Sequence, residues 1–186
     1  MKFILAFTLF AYLAAYHARV EAQQPAQRGT PITPIGRRVG LIITGYNYTN
    51  RYIDDFGVNT IWGGNLQVSN SVNGGGGNTC CVTYIAGVRD WKIPIRFHID
   101  SCTYDTRTDS TGRLFSRTHN FYKEVEVQVN PNIPLRPLYF EVHIYPDNHV
   151  EAVVTERSSP ARLILRRERE DRTPYKQCPN DKRPEN

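Results

Sequence analysis

Apolar and polar residues alternate along several segments of this chain, which is the pattern of half-buried β-strands. Two segments, 92–102 (KIPIRFHIDSC) and 121–129 (FYKEVEVQV), alternate most regularly. Their predicted inward-facing residues are all apolar: Ile93, Ile95, Phe97, Ile99, Phe121, Val125, Val127 and Val129. The alternation therefore predicts two strands, each with one face in the core.

Three other segments, 39–48 (VGLIITGYNY), 52–61 (YIDDFGVNTI) and 80–86 (CCVTYIA), are rich in the β-branched and aromatic residues that favour strands. We expect 52–61 to be one strand with a bulge near Gly57. Residues 138–145 (LYFEVHIY) and 149–155 (HVEAVVT) flank Pro146-Asp147-Asn148. Two β-favouring runs around so short a turn predict a hairpin.

The segments between these strands are polar. Residues 63–78, which include a run of four glycines, are expected to form a mobile loop, and 104–118 a turn-rich loop. Ser159-Pro160 can begin a helix over 161–172, and 162–165 can equally form a last strand. We favour the strand, with disorder after it. The resulting fold is a single all-β domain over 39–165, an antiparallel β-sandwich or open β-barrel of six to seven strands.

The first 22 residues have the features of a secretory signal peptide. Lys2 precedes an apolar stretch from Phe3 to Tyr16, and Val20-Glu21-Ala22 fits a cleavage site. The stretch is shorter than the roughly 20 residues that span a bilayer, so a retained anchor is the less favoured alternative. We therefore expect cleavage after Ala22, a periplasmic protein with no stable membrane span, a flexible leader over 23–38 and a charged C-terminal tail over 166–186.

Composition and charge narrow the classes of function. The chain has 186 residues, of which 40% are hydrophobic, and a net charge of +5, which excludes an intrinsically disordered protein. Basic and acidic residues balance between 23 and 156, so the excess positive charge lies in 157–186. A nucleic-acid-binding domain carries its basic residues on the folded part. We therefore expect no nucleic-acid partner.

The cysteines are Cys80, Cys81, Cys102 and Cys178. An even number in an exported protein predicts two disulfides, for which three pairings are possible. Adjacent residues on a strand point to opposite faces. One of the neighbouring pair is then expected to bond to Cys102 and the other to Cys178. A bond between Cys80 and Cys81 is the least favoured pairing.

The residues do not indicate a catalytic or metal site. The chain has no GxSxG nucleophile motif, and its glycine run is not followed by the Lys-Ser/Thr of a phosphate-binding loop. His143 and His149 flank the predicted hairpin turn, but their positions favour an ordinary exposed hairpin face over a metal site. We therefore predict a protein that is not an enzyme and holds no cofactor.

The order of several motifs resembles a family of exported bacterial domains of unknown function. The motifs are 44–59 (TGYNYTNRYIDDFGVN), 63–65 (GGN), the glycine run, 80–82 (CCV), 100–104 (DSCTY) and 141–151 (EVHIYPDNHVE). Members are often encoded beside lipase effectors of type VI secretion. The resemblance implies an immunity protein that binds and inhibits a phospholipase effector in the periplasm. Because the lipid-attachment cysteine of many members is missing here, it implies a soluble form.

An inhibitor of this kind binds through a few aromatic and arginine residues on its surface. The candidates by residue type are Tyr46, Tyr48, Arg51, Tyr52, Trp62, Trp91 and Tyr104. Each aromatic residue is alternatively a core residue, and Tyr46 and Tyr48 share a strand face, so both are buried or both exposed. The second functional hypothesis is an exported β-module that binds cell-wall glycan, because tyrosine and tryptophan residues lie near the 61–78 loop.

Overall fold

The structure, a computed structural model, describes residues 32–70, 75–163, 166 and 169–185. The predicted signal peptide and most of the predicted leader lie outside the described residues. The described chain forms eight strands: β1 (Arg38–Asn47), β2 (Ile53–Val58), β3 (Ile61–Leu66), β4 (Gly75–Ile85), β5 (Lys92–Thr108), β6 (Leu114–Gln128), β7 (Tyr139–Ile144) and β8 (Val150–Thr155). A short 3-10 turn follows at Pro179–Asp181. The prediction of one all-β domain is confirmed.

The strands form one curled sheet in the order β6-β5-β2-β3-β4-β1-β7-β8. Neighbouring strands are antiparallel except for β1 and β7, which run parallel. The sheet curls so far that its two edges meet, since Val129, just after β6, bridges to Ala152 on β8. The concave side holds the core around Phe56, Phe97 and Phe140, each 0% exposed. The curl encloses the apolar side chains without a second sheet.

The structure has eight strands, one more than the six to seven that the sequence predicts, because residues 52–66 form a hairpin. β2 and β3 are joined by Asn59 and Thr60, and Asn59 adopts a left-handed conformation with φ 54°. The predictions of a single strand over 52–61 and a loop over 63–78 are therefore wrong at this hairpin. Gly63 is required on β3 because a side chain there would collide with the ring of Phe56.

The loop predicted at 104–118 is also mostly strand. β5 continues to Thr108 and β6 begins at Leu114. The inward prediction fails for Ile99 and Phe121, which are 42% and 36% exposed. The register shifts between His98 and Asp100, and such a bulge reverses the alternation of faces. His98 is consequently buried in place of Ile99.

The disulfides join Cys80 to Cys81 and Cys102 to Cys178. The expected pairing was wrong, and the least favoured bond is present. The reason is the order of the strands: β4, which carries Cys80 and Cys81, is separated from the Cys102 strand β5 by β2 and β3. No pairing across so wide a gap is possible, since bonded cysteines have Cα atoms within about 7 Å.

The segment after β8 differs from the predicted last strand. Residues 161–163 are not in a strand, and 164 and 165 lie outside the described residues. Residues 169–185 follow an irregular path, but hydrogen bonds and the disulfide hold them to the sheet. We call 169–185 the tail. In the described part of the chain, no helix is long and apolar enough to cross a membrane.

Candidate functional site

The two longest strands form an arm. β5 pairs with β2 only at residues 95–97, whereas it pairs with β6 from Lys92 to Thr108. Residues 99–121, which we call the arm, therefore have each other as their main strand partners. Asp109 closes the turn of the arm, where its Oδ1 accepts hydrogen bonds from the backbone N–H groups of Thr111 and Arg113, both at 2.9 Å.

The tail supports the base of the arm. The N–H of Thr103 donates to the carbonyl of Lys176 at 2.9 Å, and the N–H of Cys178 donates to the carbonyl of Thr103 at 2.7 Å. These bonds add a short parallel strand segment beside β5, next to the Cys102–Cys178 disulfide. The Asp181 carboxylate also accepts the N–H of Thr106 at 3.1 Å. The lower half of the arm is thereby fixed on its open edge.

A second contact holds the beginning of the tail. Arg51 Nε donates to Asp171 Oδ2 at 3.0 Å, and the Arg51 guanidinium carbon lies 5.0 Å from the ring centroid of Tyr175. Arg169 donates to the carbonyls of Tyr48 and Thr49 at 2.6 and 2.7 Å. The tail thus follows a defined path from the end of β1 to the base of the arm.

The tip of the arm exposes apolar side chains. Leu114 is 67% exposed and Phe115 49% exposed. Arg113 lies over the Phe115 ring at 5.1 Å from its centroid. Leu114 and Phe115 are neighbours on β6, so the tip exposes an apolar side chain on each of its faces. Phenylalanine and arginine are among the residue types that are enriched in protein interfaces.

A groove of ≈ 830 Å³ lies beside the arm, between β6 and the end of the tail. Its lining includes the aromatic residues Tyr104, Phe121 and Tyr122, and Arg183 of the tail. Arg96 packs over Tyr122 with its guanidinium carbon 3.5 Å from the ring centroid. The groove extends the surface of the arm with aromatic and arginine side chains.

A buried serine and histidine lie at the base of the arm, but their hydrogen bonds run in the wrong direction for catalysis. The N–H of Asp54 donates to His98 Nδ1 at 3.2 Å. Neutral His98 therefore carries its proton on Nε2 and donates it to Ser101 Oγ at 2.7 Å. Ser101 in turn donates to Asn120 Oδ1 at 2.8 Å. In a nucleophilic pair the serine donates to the histidine, so this chain of bonds is structural.

A buried polar cluster joins β1 to β7. Tyr46, Tyr48, Glu141 and His143 are each at most 1% exposed. The Tyr48 hydroxyl lies 3.0 Å from His143 Nδ1 and accepts the N–H of Arg162 at 2.8 Å. Glu141 Oε1 accepts the N–H of Ser159 at 2.7 Å and the hydroxyl of Thr155 at 3.1 Å. The cluster holds the segment after β8 against the sheet.

The charges of this cluster follow from its burial. Burial lowers the pKa of His143, which stays neutral, and burial raises the pKa of Tyr48 to about 12. Burial alone would raise the pKa of Glu141, but His143 and the hydrogen bonds from Ser159 outweigh it and lower that pKa. Glu141 is therefore a buried, ionised carboxylate on the face of β7 opposite to the core residues Phe140 and Val142. His143 Nε2, which carries the proton, lies 3.6 Å from Glu141 Oε2.

The stability of the protein is expected to fall as the pH drops below about 6.5. Burial lowers the pKa values of His98 and His143 from the ordinary 6.5. In acid the unfolded chain binds protons that the folded chain does not, which favours unfolding by at most about 1.4 kcal/mol per pH unit for each histidine. Urea unfolding between pH 7.5 and 5 measures the slope.

The double variant His98→Asn/His143→Gln serves as the comparison for this slope. It is expected to be less stable than the wild type at pH 7.5 but to lose less stability between pH 7.5 and 5. Equal slopes for the two proteins would show that other groups cause the acid sensitivity.

The structure separates the predicted partner-binding residues into three groups. Tyr46 and Tyr48 are buried, so the prediction that they contact a partner is wrong; both lie on the face of β1 opposite to the core residues Leu41 and Ile43, where the segment after β8 covers them. Arg51 and Tyr52 lie beside the tail, and Trp91 packs against the rings of Tyr84 and Phe140. Trp62 is 63% exposed on β3, and Tyr104 lies in the groove.

Sequence reasoning missed the residues at the tip of the arm. Leu114 and Phe115 lie inside the stretch that was predicted as a polar loop. The available signal was the Asp109-Ser110-Thr111-Gly112 turn, because a tight turn between segments that contain aromatic and threonine residues indicates a hairpin.

Metal binding finds no geometric support in the described residues, where no group of three or more histidine, cysteine, aspartate or glutamate side chains is placed to hold an ion. His143 is buried, whereas His149 is exposed and lies 2.6 Å from Asp147 through its Nδ1. The two histidines of the hairpin therefore do not meet.

A family model described as a protein of unknown function (DUF3304) matches residues 46–152. The chain belongs to the DUF3304 family. The matched region runs from the end of β1 to β8 and includes the arm and both halves of the buried cluster. Within it lie the Cys80-Cys81 pair and the 141–151 motif on which the resemblance rests. No curated protein matches the chain. No solved structure matches it either.

Proposed function

We propose that this protein is an exported immunity protein that binds a type VI secretion phospholipase effector in the periplasm and inhibits it by contact. The exposed tip of the arm carries the proposal, because it presents Phe115 and Arg113, residue types enriched in protein interfaces, beside exposed Leu114 on a hairpin whose base is fixed. The class of partner comes from the family resemblance, in which members are encoded beside such lipases.

The two disulfides support the part of this proposal that concerns export. Disulfides persist in the periplasm and are rare in the reducing cytosol, and all four cysteines are bonded. The Cys102–Cys178 bond fixes the base of the arm. A hairpin that is ordered before binding loses less conformational entropy in a complex.

The arm gives a direct test. The change Leu114→Ser/Phe115→Ser is expected to weaken the complex with the neighbouring phospholipase by about 2–4 kcal/mol, since it removes both apolar side chains of the tip. Calorimetry or surface plasmon resonance of the purified proteins measures this loss, after unfolding curves have established that the variant is folded.

The matched control replaces two exposed apolar residues outside the arm, Ile85→Ser/Leu163→Ser. It is expected to bind like the wild type. An equal loss of affinity in both variants would show that the arm is not part of the interface. The absence of any complex with the wild type would overturn the proposal.

The exposure of Trp62 favours a second function, binding of cell-wall glycan, because a free indole face can pack against a sugar ring. This hypothesis predicts that the protein sediments with isolated peptidoglycan and that Trp62→Ala abolishes the sedimentation. If the protein is instead an immunity protein that binds through its arm, the Trp62→Ala variant is expected to inhibit the phospholipase like the wild type. The peptidoglycan and phospholipase assays therefore distinguish the two functions.

A further inference from the structure

A second exposed surface lies where the described chain enters the β-domain. Its apolar members include Ile35, Leu135 and Ile32, which are 90%, 65% and 57% exposed. Val88 and Leu138 add to it at 38% and 43%. Contiguous exposed apolar side chains of this size indicate an interaction surface. We call these five residues, together with the arginines described below, the entry face.

The apolar residues of the entry face are held in place by the backbone. The N–H of Thr33 donates to the carbonyl of Leu135 at 3.1 Å, and the N–H of Gly36 donates to the carbonyl of Ala86 at 2.8 Å. The Ile35 side chain lies directly over Gly87, where a Cβ atom would come within 2.9 Å of it. The entry face is therefore a built surface whose side chains are directed by the fold.

Arginines surround the apolar residues. The exposed ones are Arg37, Arg38, Arg89, Arg136 and Arg157. The acidic residues beside them in the chain are Asp90 and Glu156, which leaves this end of the sheet clearly positive. Within the residues that the structure describes, none of these five arginines forms an ion pair. A partner for the entry face must accept both apolar side chains and several guanidinium groups.

We propose that the entry face binds the surface of an anionic phospholipid bilayer. Apolar side chains of a peripheral protein enter the boundary between headgroups and acyl chains, and surrounding basic residues bind lipid phosphates. Guanidinium groups suit phosphate oxygens because they donate two parallel hydrogen bonds.

The entry face and the arm lie at opposite ends of β5. Arg89 of the entry face precedes Lys92, the first residue of β5, whereas the arm turn follows its last residue, Thr108. Both surfaces can therefore be occupied at once. The entry face is independent of the proposed inhibition, but it would hold the inhibitor at the surface where a phospholipase acts.

Sedimentation with vesicles tests the membrane proposal. The protein recovered from the periplasm is mixed with vesicles of phosphatidylcholine alone or with added phosphatidylglycerol. We expect binding that requires phosphatidylglycerol and decreases with salt. The charge reversal Arg37→Glu/Arg38→Glu/Arg136→Glu is expected to weaken binding by about tenfold or more. Ile35→Ser/Leu135→Ser is expected to weaken the binding that persists at high salt.

A matched variant separates the entry face from the net charge. Arg166→Glu/Lys176→Glu/Lys182→Glu changes the net charge equally but on the C-terminal segment, and it is expected to retain binding. Equal loss in this control, or no wild-type binding, would overturn the proposal. So would a dimer of the wild type that the entry-face variants abolish, because a second copy would then cover the surface. Unfolding curves and phospholipase inhibition, measured on the same variants, identify misfolding and any failure of the proposed function separately.

Discussion

Removing the disulfide between Cys102 and Cys178 by changing both residues to alanine is expected to lower the free energy of unfolding by about 4 kcal/mol. The bond joins residues separated by 76 positions. Its loss therefore frees a long loop in the unfolded chain and increases the entropy of that state. In the folded chain, the tail is then held only by noncovalent contacts, such as the hydrogen bond between Thr103 and Lys176 and the ion pair between Arg51 and Asp171. Equilibrium unfolding in urea measures the change.

The Cys80–Cys81 bond provides the control for this prediction. It joins neighbouring residues and closes no long loop, so the change Cys80→Ala/Cys81→Ala is expected to cost much less stability. In addition, proteolysis is expected to remove the tail from Cys102→Ala/Cys178→Ala sooner than from the wild type. The role assigned to the long-range bond would be contradicted if both double variants lost the same free energy of unfolding and if proteolysis removed their tails at the same rate.

Changing Glu141 to alanine is expected to destabilise the protein by about 2–4 kcal/mol, because hydrogen-bond donors lose their acceptor and a cavity is left. The carboxylate is 0% exposed and accepts hydrogen bonds from Ser159 and Thr155. Without it, the Ser159 N–H and the Thr155 hydroxyl lose their acceptor, and a cavity remains. Unfolding in urea at pH 7.5 measures the effect.

The isosteric change Glu141→Gln is the matched comparison. It keeps the volume and one carbonyl oxygen, which can still accept from Ser159 and Thr155. We expect it to cost less than half as much as alanine. A protein that tolerates Glu141→Ala as well as an exposed substitution would show that the cluster does not hold the segment after β8.

The strands that sequence reasoning found are those with local evidence. β1, β5, β7 and β8 have apolar alternation or dense β-branched residues, and the β7–β8 turn is marked by Pro146-Asp147-Asn148. β3 and the beginning of β4 are rich in glycine and asparagine and lack this signal. They are strands because Gly63 lets the sheet pack against Phe56, a tertiary contact that local propensity does not contain.

The disulfide pairing and the burial of the tyrosines needed the order of strands in the sheet. Parity along β1 established that Tyr46 and Tyr48 face the same side. Their burial depends on β7, which brings Glu141 and His143 beside them, and on the segment after β8, which covers them. Similarly, only 22 positions separate Cys80 from Cys102 in the sequence, but two strands, β2 and β3, lie between them in the sheet. Long-range pairings of this kind leave no local pattern in the chain.

The central claim is that the protein inhibits a phospholipase by forming a complex through its arm. The most direct measurement is a titration of the purified neighbouring phospholipase with this protein, with hydrolysis of a phospholipid substrate as the readout. The proposal predicts that activity falls linearly to near zero at one equivalent and that Leu114→Ser/Phe115→Ser fails to inhibit at the same concentration. Full phospholipase activity at a large excess of the folded wild-type protein would contradict it.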